Sequence, residues 1–200
     1  MSTSPADIHR VDESRSAHLA NLLARAFYED PTWRWAFPDP DARLDQHRTL
    51  WTIYLHSAIP YGWVWMSNDG GATAVWIPPG VPELSTSDEA LVERLVRYEL
   101  GAHAQQVLEL MESFDALHPH EPHYYLSLLG THPDHRGHGK GIGLLSATLE
   151  LIDAEGMPAY LESSNRANDH RYERLGFVQV GEFSAPGGGP SVACMWRAAR

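Results

Sequence analysis

The segment HPDHRGHGKGIGLL, residues 132–145, places four glycines at every second position from 137 to 143. The apolar stretch YYLSLLGT before it predicts a strand, and the apolar spacing of LLSATLELIDAEG at its end predicts a helix. The first turn of a helix has backbone N–H groups without intrahelical partners and carries the positive end of the helix dipole. Because glycine has no Cβ, an anion can approach such groups closely. We interpret residues 136–141 as a phosphate-binding cradle; a glycine-rich turn without a ligand is the alternative.

The spacing of these glycines does not match two common nucleotide-binding motifs. The dinucleotide fingerprint G-x-G-x-x-G needs a third glycine where this chain has Ile142 or Leu144. A P-loop needs Ser or Thr after Gly-Lys, and here Gly139-Lys140 is followed by Gly141. The spacing therefore favours a phosphate ligand of another class.

The rest of the chain predicts both helices and strands. Apolar residues recur at helical spacing in three segments, residues 12–30, 41–57 and 86–117. Asp12 or Ser14 could cap the first segment, and Gly101 breaks the third. WVWMS and ATAVWI, joined by NDGG, predict a hairpin; AYLES, FVQVGEF and SVACMW predict strands, and NDHRYERLG a short helix. Without an internal repeat or a long linker, residues 1–200 are expected to form a single α/β domain.

Charge and composition restrict the class of partner. The chain has 15 Lys and Arg against 26 Asp and Glu, a net charge of −11, which disfavours binding to nucleic acid or to an anionic membrane and is compatible with a cationic small substrate. The single cysteine, Cys194, cannot form an intrachain disulfide. The N-terminal segment has no apolar signal-peptide core, and the chain has no apolar run of about 18 residues. We expect a soluble, cytoplasmic protein.

The glycine segment resembles the Arg/Gln-x-x-Gly-x-Gly/Ala signature of the GNAT superfamily of acetyl-CoA-dependent N-acyltransferases. RYERLGF, about 30 residues later, is similar to a second motif of that superfamily. HEPHYYLSLLGTHPDHRGHGKG, PAYLESSNRANDHRYERLGF and AVWIPPG resemble stretches of puromycin N-acetyltransferase and related antibiotic-modifying members. The resemblance implies a twisted, mostly antiparallel sheet of six or seven strands with helices on both faces and a splayed central strand pair. It also implies an acceptor-side half, about residues 1–120, and an acetyl-CoA-binding half, about 121–200.

The same resemblance implies positions that bind acetyl-CoA. The main chain of Leu129, Gly130 and Thr131 would bond the pantetheine arm, and an N–H near Gly130 could polarise the thioester carbonyl. The pyrophosphate would be held by the cradle, namely Arg136, Gly137, His138, Gly139, Lys140 and Gly141. Either Asn165 or Asn168 would contact the cofactor, and helix capping is the structural alternative for both.

The reaction implied by the resemblance needs two proton transfers. Tyr172 would be the general acid that protonates the leaving thiolate; packing under the sheet is its structural alternative. For the base that deprotonates the amine, we prefer Glu162 at the end of a strand. His123 is the second choice, because imidazole titrates near neutrality, and an ordered water relay is the third.

We therefore expect direct acetyl transfer, in a ternary complex, to a primary amine of a small molecule that is antibiotic-like or an amino-nucleoside, which would imply a role in antibiotic resistance. Acetylation of a protein or peptide amine, and a non-catalytic acyl-CoA sensor, are the alternatives. No metal is expected, because prolines in LHPHEPH prevent a helical H-E-x-x-H site. The protein would act as a monomer or a homodimer.

Overall fold

The computed structural model describes residues 7–200, which form seven strands and seven α-helices in the described part of the chain. The strands are β1 (Ile8–Arg10), β2 (Val64–Ser67), β3 (Ala72–Ile77), β4 (Tyr124–Thr131), β5 (Ala159–Ser163), β6 (Val178–Ser184) and β7 (Ser191–Arg197). The helices are α1 (Ser16–Phe27), α2 (Pro31–Ala36), α3 (Arg43–Ala58), α4 (Thr86–Leu100), α5 (Ala104–Ala116), α6 (Lys140–Ala154) and α7 (Asp169–Glu173).

All seven strands join one sheet in the order β1-β2-β3-β4-β5-β7-β6. The pair β4–β5 is parallel, and the other five pairs are antiparallel. The parallel pairing covers three residue pairs, from Tyr124–Ala159 to Leu126–Leu161. Beyond Leu126, β4 continues to Thr131 beside β3 alone, so the two central strands part. The predicted mixed sheet with a splayed central pair is confirmed.

Helices cover both faces of the sheet. On one face, α1, α3, α4 and α5 pack over the apolar side chains of β2, β3 and β4, around the fully buried Trp51 and Leu55. On the other face, α6 packs through Leu144, Leu145 and Ile152 against Trp76 and neighbouring side chains. The two cores explain why the central strand β3 is buried at every residue, since each of its faces is covered.

Most predicted elements agree with the structure, and three details differ. The helix α6 begins at Lys140, inside the glycine run, because Gly139 adopts a left-handed conformation with φ 73° and starts the helix there. Asp12 caps a short 3-10 turn that precedes α1 rather than α1 itself. The strand β1 and the helix α2 were not predicted from the sequence. No helix within residues 7–200 is long and apolar enough to cross a bilayer.

Candidate active site

The divergence of β4 and β5 opens two adjoining hollows. A cleft lies over the start of α6 and the ends of β4 and β5, and a deeper cavity of about 750 Å³ lies between the sheet and helices α3, α4 and α5. Three residues, Phe27, Leu129 and Tyr172, line both of them. The hollows therefore meet at the point where the central strands part.

The cleft contains most of the predicted cradle. Among the predicted residues, its lining includes Leu129, Thr131, Arg136, Gly137, Gly139, Lys140, Gly141, Asn165 and Asn168. Gly137 and Gly139 have φ angles of 80° and 73°, which a residue with a Cβ rarely adopts. A Cβ on Gly141 would overlap Thr131 Oγ1, so the helix start approaches the end of β4 more closely than another residue would allow. Glycine at these positions bares the N–H groups that an anion needs.

Cationic groups of the cleft are held by neighbouring loops. Lys140 forms an ion pair with Asp69 of the β2–β3 turn, and it lies 3.0 Å from His135 Nδ1. The hydrogen bond from Lys140 holds the Asp69 pKa well below its usual range. Arg136 donates to the carbonyl oxygen of Ala26 over 2.6 Å, which ties the loop to α1. The Nδ1 of His138 lies 2.8 Å from the Arg136 carbonyl oxygen, and its side chain is exposed rather than part of the cleft wall.

The two asparagine candidates differ in their local contacts. Asn165 Oδ1 accepts a hydrogen bond from the Ala167 N–H at 3.1 Å and so caps a short turn. Asn168 precedes α7 without a capping side-chain hydrogen bond. Its amide is thus the freer of the two to contact a molecule in the cleft.

Tyr172 stands at the junction of the two hollows. It lies on α7, which follows β5 after a short connection, and its ring packs near Phe177 with centroids 6.3 Å apart. Burial raises the pKa of its phenol above the usual value, and the charges of Asp30 and Asp169 raise it further. The hydroxyl therefore stays protonated at neutral pH and can donate a proton.

The deeper cavity combines aromatic and acidic walls. Its aromatic lining comes from Phe27, Trp33, Trp51, Tyr54, Phe114, Tyr125 and Tyr172. Its carboxylates are Glu83, Glu89, Glu93, Glu112, Asp115 and Glu162. Against these six acids, Arg97 is the single Lys or Arg of the described lining, and it pairs with Glu93 at 2.8 Å. A cavity of this composition attracts an organic cation.

Glu162 presents a buried carboxylate to this cavity. Its side chain is only 2% exposed, and its Oε1 has no hydrogen-bond partner in the described part of the chain. Burial raises the pKa of Glu162 to about 8, and the charges of Glu83 and Asp115 add to the rise. The hydroxyls of Tyr125 and Tyr160 oppose that shift without forming hydrogen bonds of normal geometry. A carboxylate that holds its proton this firmly can take one from an ammonium group near neutral pH.

The second base candidate, His123, lies behind the cavity wall. Its Nε2 is 3.1 Å from His118 Nε2, and its Nδ1 is 2.6 Å from the Glu121 carbonyl oxygen. His118, not His123, lines the cavity, and its Nδ1 lies 3.9 Å from Glu162 Oε1. Burial lowers the pKa of His118 to about 4, so this ring is neutral at pH 7. His123 could therefore act on a bound molecule only through His118.

Comparison with known proteins assigns this architecture. The family model of the acetyltransferase (GNAT) family matches residues 88–177, a range that includes β4, the cradle, β5 and Tyr172. A Corynebacterium glutamicum protein described as histone acetyltransferase HPA2 and related acetyltransferase superposes with a TM-score of 0.70 at 25% identity, covering 100% of this chain and 98% of that one. The chain is an acyltransferase with the GNAT fold.

Two further proteins are similar to this chain, one by sequence and one by structure. An uncharacterised N-acetyltransferase of Schizosaccharomyces pombe is 26% identical over 84% of this chain and 73% of its own length. The polyamine N-acetyltransferase of Drosophila melanogaster, which forms N-acetylagmatine, has a TM-score of 0.63 at 18% identity, covering 96% of this chain and 98% of its own. At that identity the likeness shows the GNAT fold alone.

Two acidic cavity residues and the helix α2 were not predicted from the sequence. Glu83 and Asp115 lie on the β3–α4 connection and at the end of α5, in the half without a strong motif. Trp33 lies on the unpredicted helix α2, which Asp30 caps by accepting from the N–H groups of Thr32 and Trp33. The pair Asp30-Pro31 is a recognisable helix-start signal that could have located α2. No comparable local pattern marks Glu83.

Among the described residues there is no cluster of His, Cys, Asp and Glu arranged to hold a metal ion.

Proposed function

We propose that this GNAT-type enzyme transfers the acetyl group of acetyl-CoA to the primary amine of a small, cationic molecule. The observation that carries the proposal is the position of Tyr172, which lines both the glycine cradle and the acidic aromatic cavity. A donor held in the cleft and an acceptor held in the cavity would meet beside this hydroxyl. The volume of about 750 Å³ lies within the range of small-molecule sites, which favours a small acceptor over a protein chain.

The residues of the cleft fit acetyl-CoA. The bared helix start supplies N–H groups and dipole for the pyrophosphate, and Arg136 and Lys140 supply positive charge. The main chain of Leu129, Gly130 and Thr131 runs along the open edge of β4 for the pantetheine arm. Acetyl-CoA would supply the thioester carbon that the amine attacks. Asn168 is the better candidate for a side-chain contact, because Asn165 is engaged as a cap.

Glu162 and Tyr172 would carry the two proton transfers. An alkylammonium group, with a pKa near about 10, is not nucleophilic until it loses a proton, and the Glu162 carboxylate would accept that proton. The N–C bond then forms as the C–S bond breaks, and the Tyr172 hydroxyl would give its proton to the leaving sulfur. After the C–N bond forms, the nitrogen still carries one proton more than the amide product, and its transfer to the Tyr172 oxygen would restore that hydroxyl. The proton taken up by Glu162 is then the one released to solvent for each ammonium group acetylated. His118, whose Nδ1 lies 3.9 Å from Glu162 Oε1 and whose side chain is 36% exposed, would be a group through which that proton can leave.

The acceptor is a primary amine, and the stretches that resemble puromycin N-acetyltransferase support an antibiotic-like or amino-nucleoside compound. The first experiment is calorimetric titration with acetyl-CoA, with free CoA as comparator and NAD and ATP as controls. We expect binding of the CoA compounds alone, followed by thiol release with amines from a panel that includes puromycin. Binding of NAD or ATP in place of acetyl-CoA would contradict the cradle assignment. Binding without thiol release for any amine would favour an acyl-CoA sensor, and release with peptides alone would favour a protein acceptor.

A further inference from the structure

A second carboxylate, that of the half-buried Glu83, lies in the acceptor cavity apart from the proposed base. It belongs to the connection between β3 and α4. Ser57 Oγ donates to the Glu83 carbonyl oxygen at 2.7 Å, and the Tyr61 hydroxyl donates to the Pro82 carbonyl oxygen at 3.0 Å. The backbone that carries Glu83 is therefore fixed to the end of α3. A fixed acid in a cavity wall is suited to positioning a ligand.

Glu83 has no cationic partner among the residues that the structure describes. Within residues 7–200, no Lys, Arg or His forms an ion pair with its carboxylate. Arg97, the cation of the cavity lining, is engaged by Glu93. Burial raises the pKa of Glu83 to about 7, and the charge of Asp115 contributes to the rise. A partly desolvated acid without a cationic partner is unfavourable for the folded protein, and a bound cation would offset that penalty.

Unpaired polar atoms in the same walls point independently to a ligand with hydrogen-bond donors. Oε1 of Glu162, on a side chain that is 2% exposed, has no hydrogen-bond partner among the described residues. Ser127 Oγ is likewise buried without a hydrogen bond of normal geometry, although it lies near Glu83 and lowers the pKa of that acid in part. Ser127 is also the β4 residue that the register between β3 and β4 skips, since Val75 pairs with Leu128 and Trp76 with Leu126. Buried polar atoms without partners are rare in folded proteins and need a reason.

The two carboxylates lie close enough to influence the same group. Tyr125, half-buried in the cavity wall, has a phenol pKa raised by desolvation and then by the charges of Glu162 and Glu83. Tyr54 has its pKa raised by burial and by the charges of Glu83 and Asp115. The same cavity wall thus contains the acids Glu162, Glu83 and Asp115 together with the rings that they influence. An acceptor that spans it would place a cation at each end and an apolar portion between them.

Resting on the proposed function, we infer that the acceptor carries two cationic nitrogens: the amine that is acetylated, placed at Glu162, and a second group bound by Glu83, joined by an apolar or aromatic spacer. Glu83 would then determine specificity without taking part in the proton transfers. A monoamine of the same shape leaves Glu83 without a counter-ion, and it should bind more weakly.

The test compares matched pairs of diamine and monoamine: p-xylylenediamine against p-methylbenzylamine, and hexamethylenediamine against hexylamine. With acetyl-CoA as donor, kcat/KM is compared after correction for the two equivalent amines of each diamine. We expect it to be roughly 30-fold or more higher for at least one diamine than for the matching monoamine, because the monoamine leaves Glu83 without a cationic partner. A ratio near one in both pairs would overturn the inference and leave the proposed function intact.

Variants at position 83 test whether the diamine-to-monoamine ratio depends on the Glu83 carboxylate. In Glu83→Gln and Glu83→Met, we expect the diamine-to-monoamine ratio to fall to within about threefold of one. Glu150→Gln, which removes a charge from the exposed surface of α6, should keep the wild-type ratio. Each ratio is measured within one preparation, so a loss of folded protein does not alter it. An unchanged ratio in either folded position-83 variant would contradict the assignment of Glu83.

Calorimetric binding of the same amines separates this inference from the proposed reaction. Tighter binding of a diamine that depends on Glu83, without thiol release from acetyl-CoA, would support the dication site and contradict acetyl transfer to these amines. Thiol release from monoamines and diamines at equal efficiency would support the transferase and contradict the dication site.

Discussion

Glu162 owes its altered acidity to its place on β5. The strand pairs Glu162 with Cys194 of β7 on one side and has lost β4 on the other, so the side chain faces the cavity formed where the sheet opens. Burial there disfavours the charged form and brings the pKa of the carboxyl to about 8. A single residue thus acquires a property that its neighbours in the sequence do not predict.

For this residue we predict the effect of Glu162→Gln on the pH profile of kcat/KM. For a cationic acceptor whose amine titrates well above 8, kcat/KM of the wild type should rise with pH and level off near 8, as the free enzyme loses the Glu162 proton. The amide cannot accept a proton, so the variant should lose about 100-fold in kcat/KM together with that rising limb. The measurement is thiol release between pH 6 and 9.

Tyr172→Phe provides the comparison for that prediction. It removes the proposed proton donor but keeps the ring in place, so kcat should fall while the limb near pH 8 remains. If Glu162→Gln kept the limb, the group that titrates near pH 8 would not be Glu162, and the assignment of Glu162 as the base would be wrong. If Tyr172→Phe kept full turnover across this range, the acid assignment would be wrong.

Among the elements, the contact between β4 and α6 shapes the cofactor cleft. The strand ends at Thr131 and the helix begins at Lys140, and a Cβ on Gly141 would overlap the Thr131 hydroxyl oxygen. The first turn of α6 can stand this close to β4 only because residue 141 has no side chain. The distance between the helix start and the strand therefore depends on one pair of residues.

We predict that Gly141→Ala weakens acetyl-CoA binding by about tenfold or more, because the overlap displaces the start of α6 from the strand. Calorimetric titration measures the loss. Thr131→Ala removes the overlapping oxygen and leaves the main chain unchanged, so the double variant should recover most of the affinity. A Gly141→Ala protein with unchanged affinity, or a double variant as weak as the single one, would contradict this account.

The elements also show what the sequence can and cannot reveal. The strand β4 and the strand β5 were predicted with their observed bounds, because short apolar runs between turn residues are local signals. The strand β1 has only three residues and is held by pairing with β2, so its own sequence carries little information. The roles proposed for Tyr172 and the cradle came from motifs. Glu83 became a candidate only when folding brought it into the cavity that contains Glu162, a relation between residues 79 positions apart.

Across the whole molecule, burial shifts the pKa values of carboxyl and imidazole groups in opposite directions. The pKa values of the Glu83 and Glu162 carboxyls are raised by burial to about 7 and about 8, above the ordinary value of 4.5. Burial lowers the pKa of His47 and of His118 to about 4, below the ordinary 6.5. His47 is fully buried between Phe37 and Trp51. The carboxyls make the folded protein bind more protons than the unfolded chain, and the imidazoles make it bind fewer.

The balance of these groups predicts how stability depends on pH. Between about pH 4.5 and 6.5, the two extra protons on these carboxyls offset the two missing protons on these imidazoles, so the four groups together should change the free energy of unfolding little. Above pH 6.5 the imidazoles are neutral in both states and only the carboxyls remain, so the folded protein should lose on the order of 2 kcal/mol between pH 6.5 and 8. Urea unfolding without ligands measures this loss, and the double variant Glu83→Gln, Glu162→Gln should remove most of it. Stability that rises over this interval, or a double variant that declines as steeply as the wild type, would show that other groups control the titration.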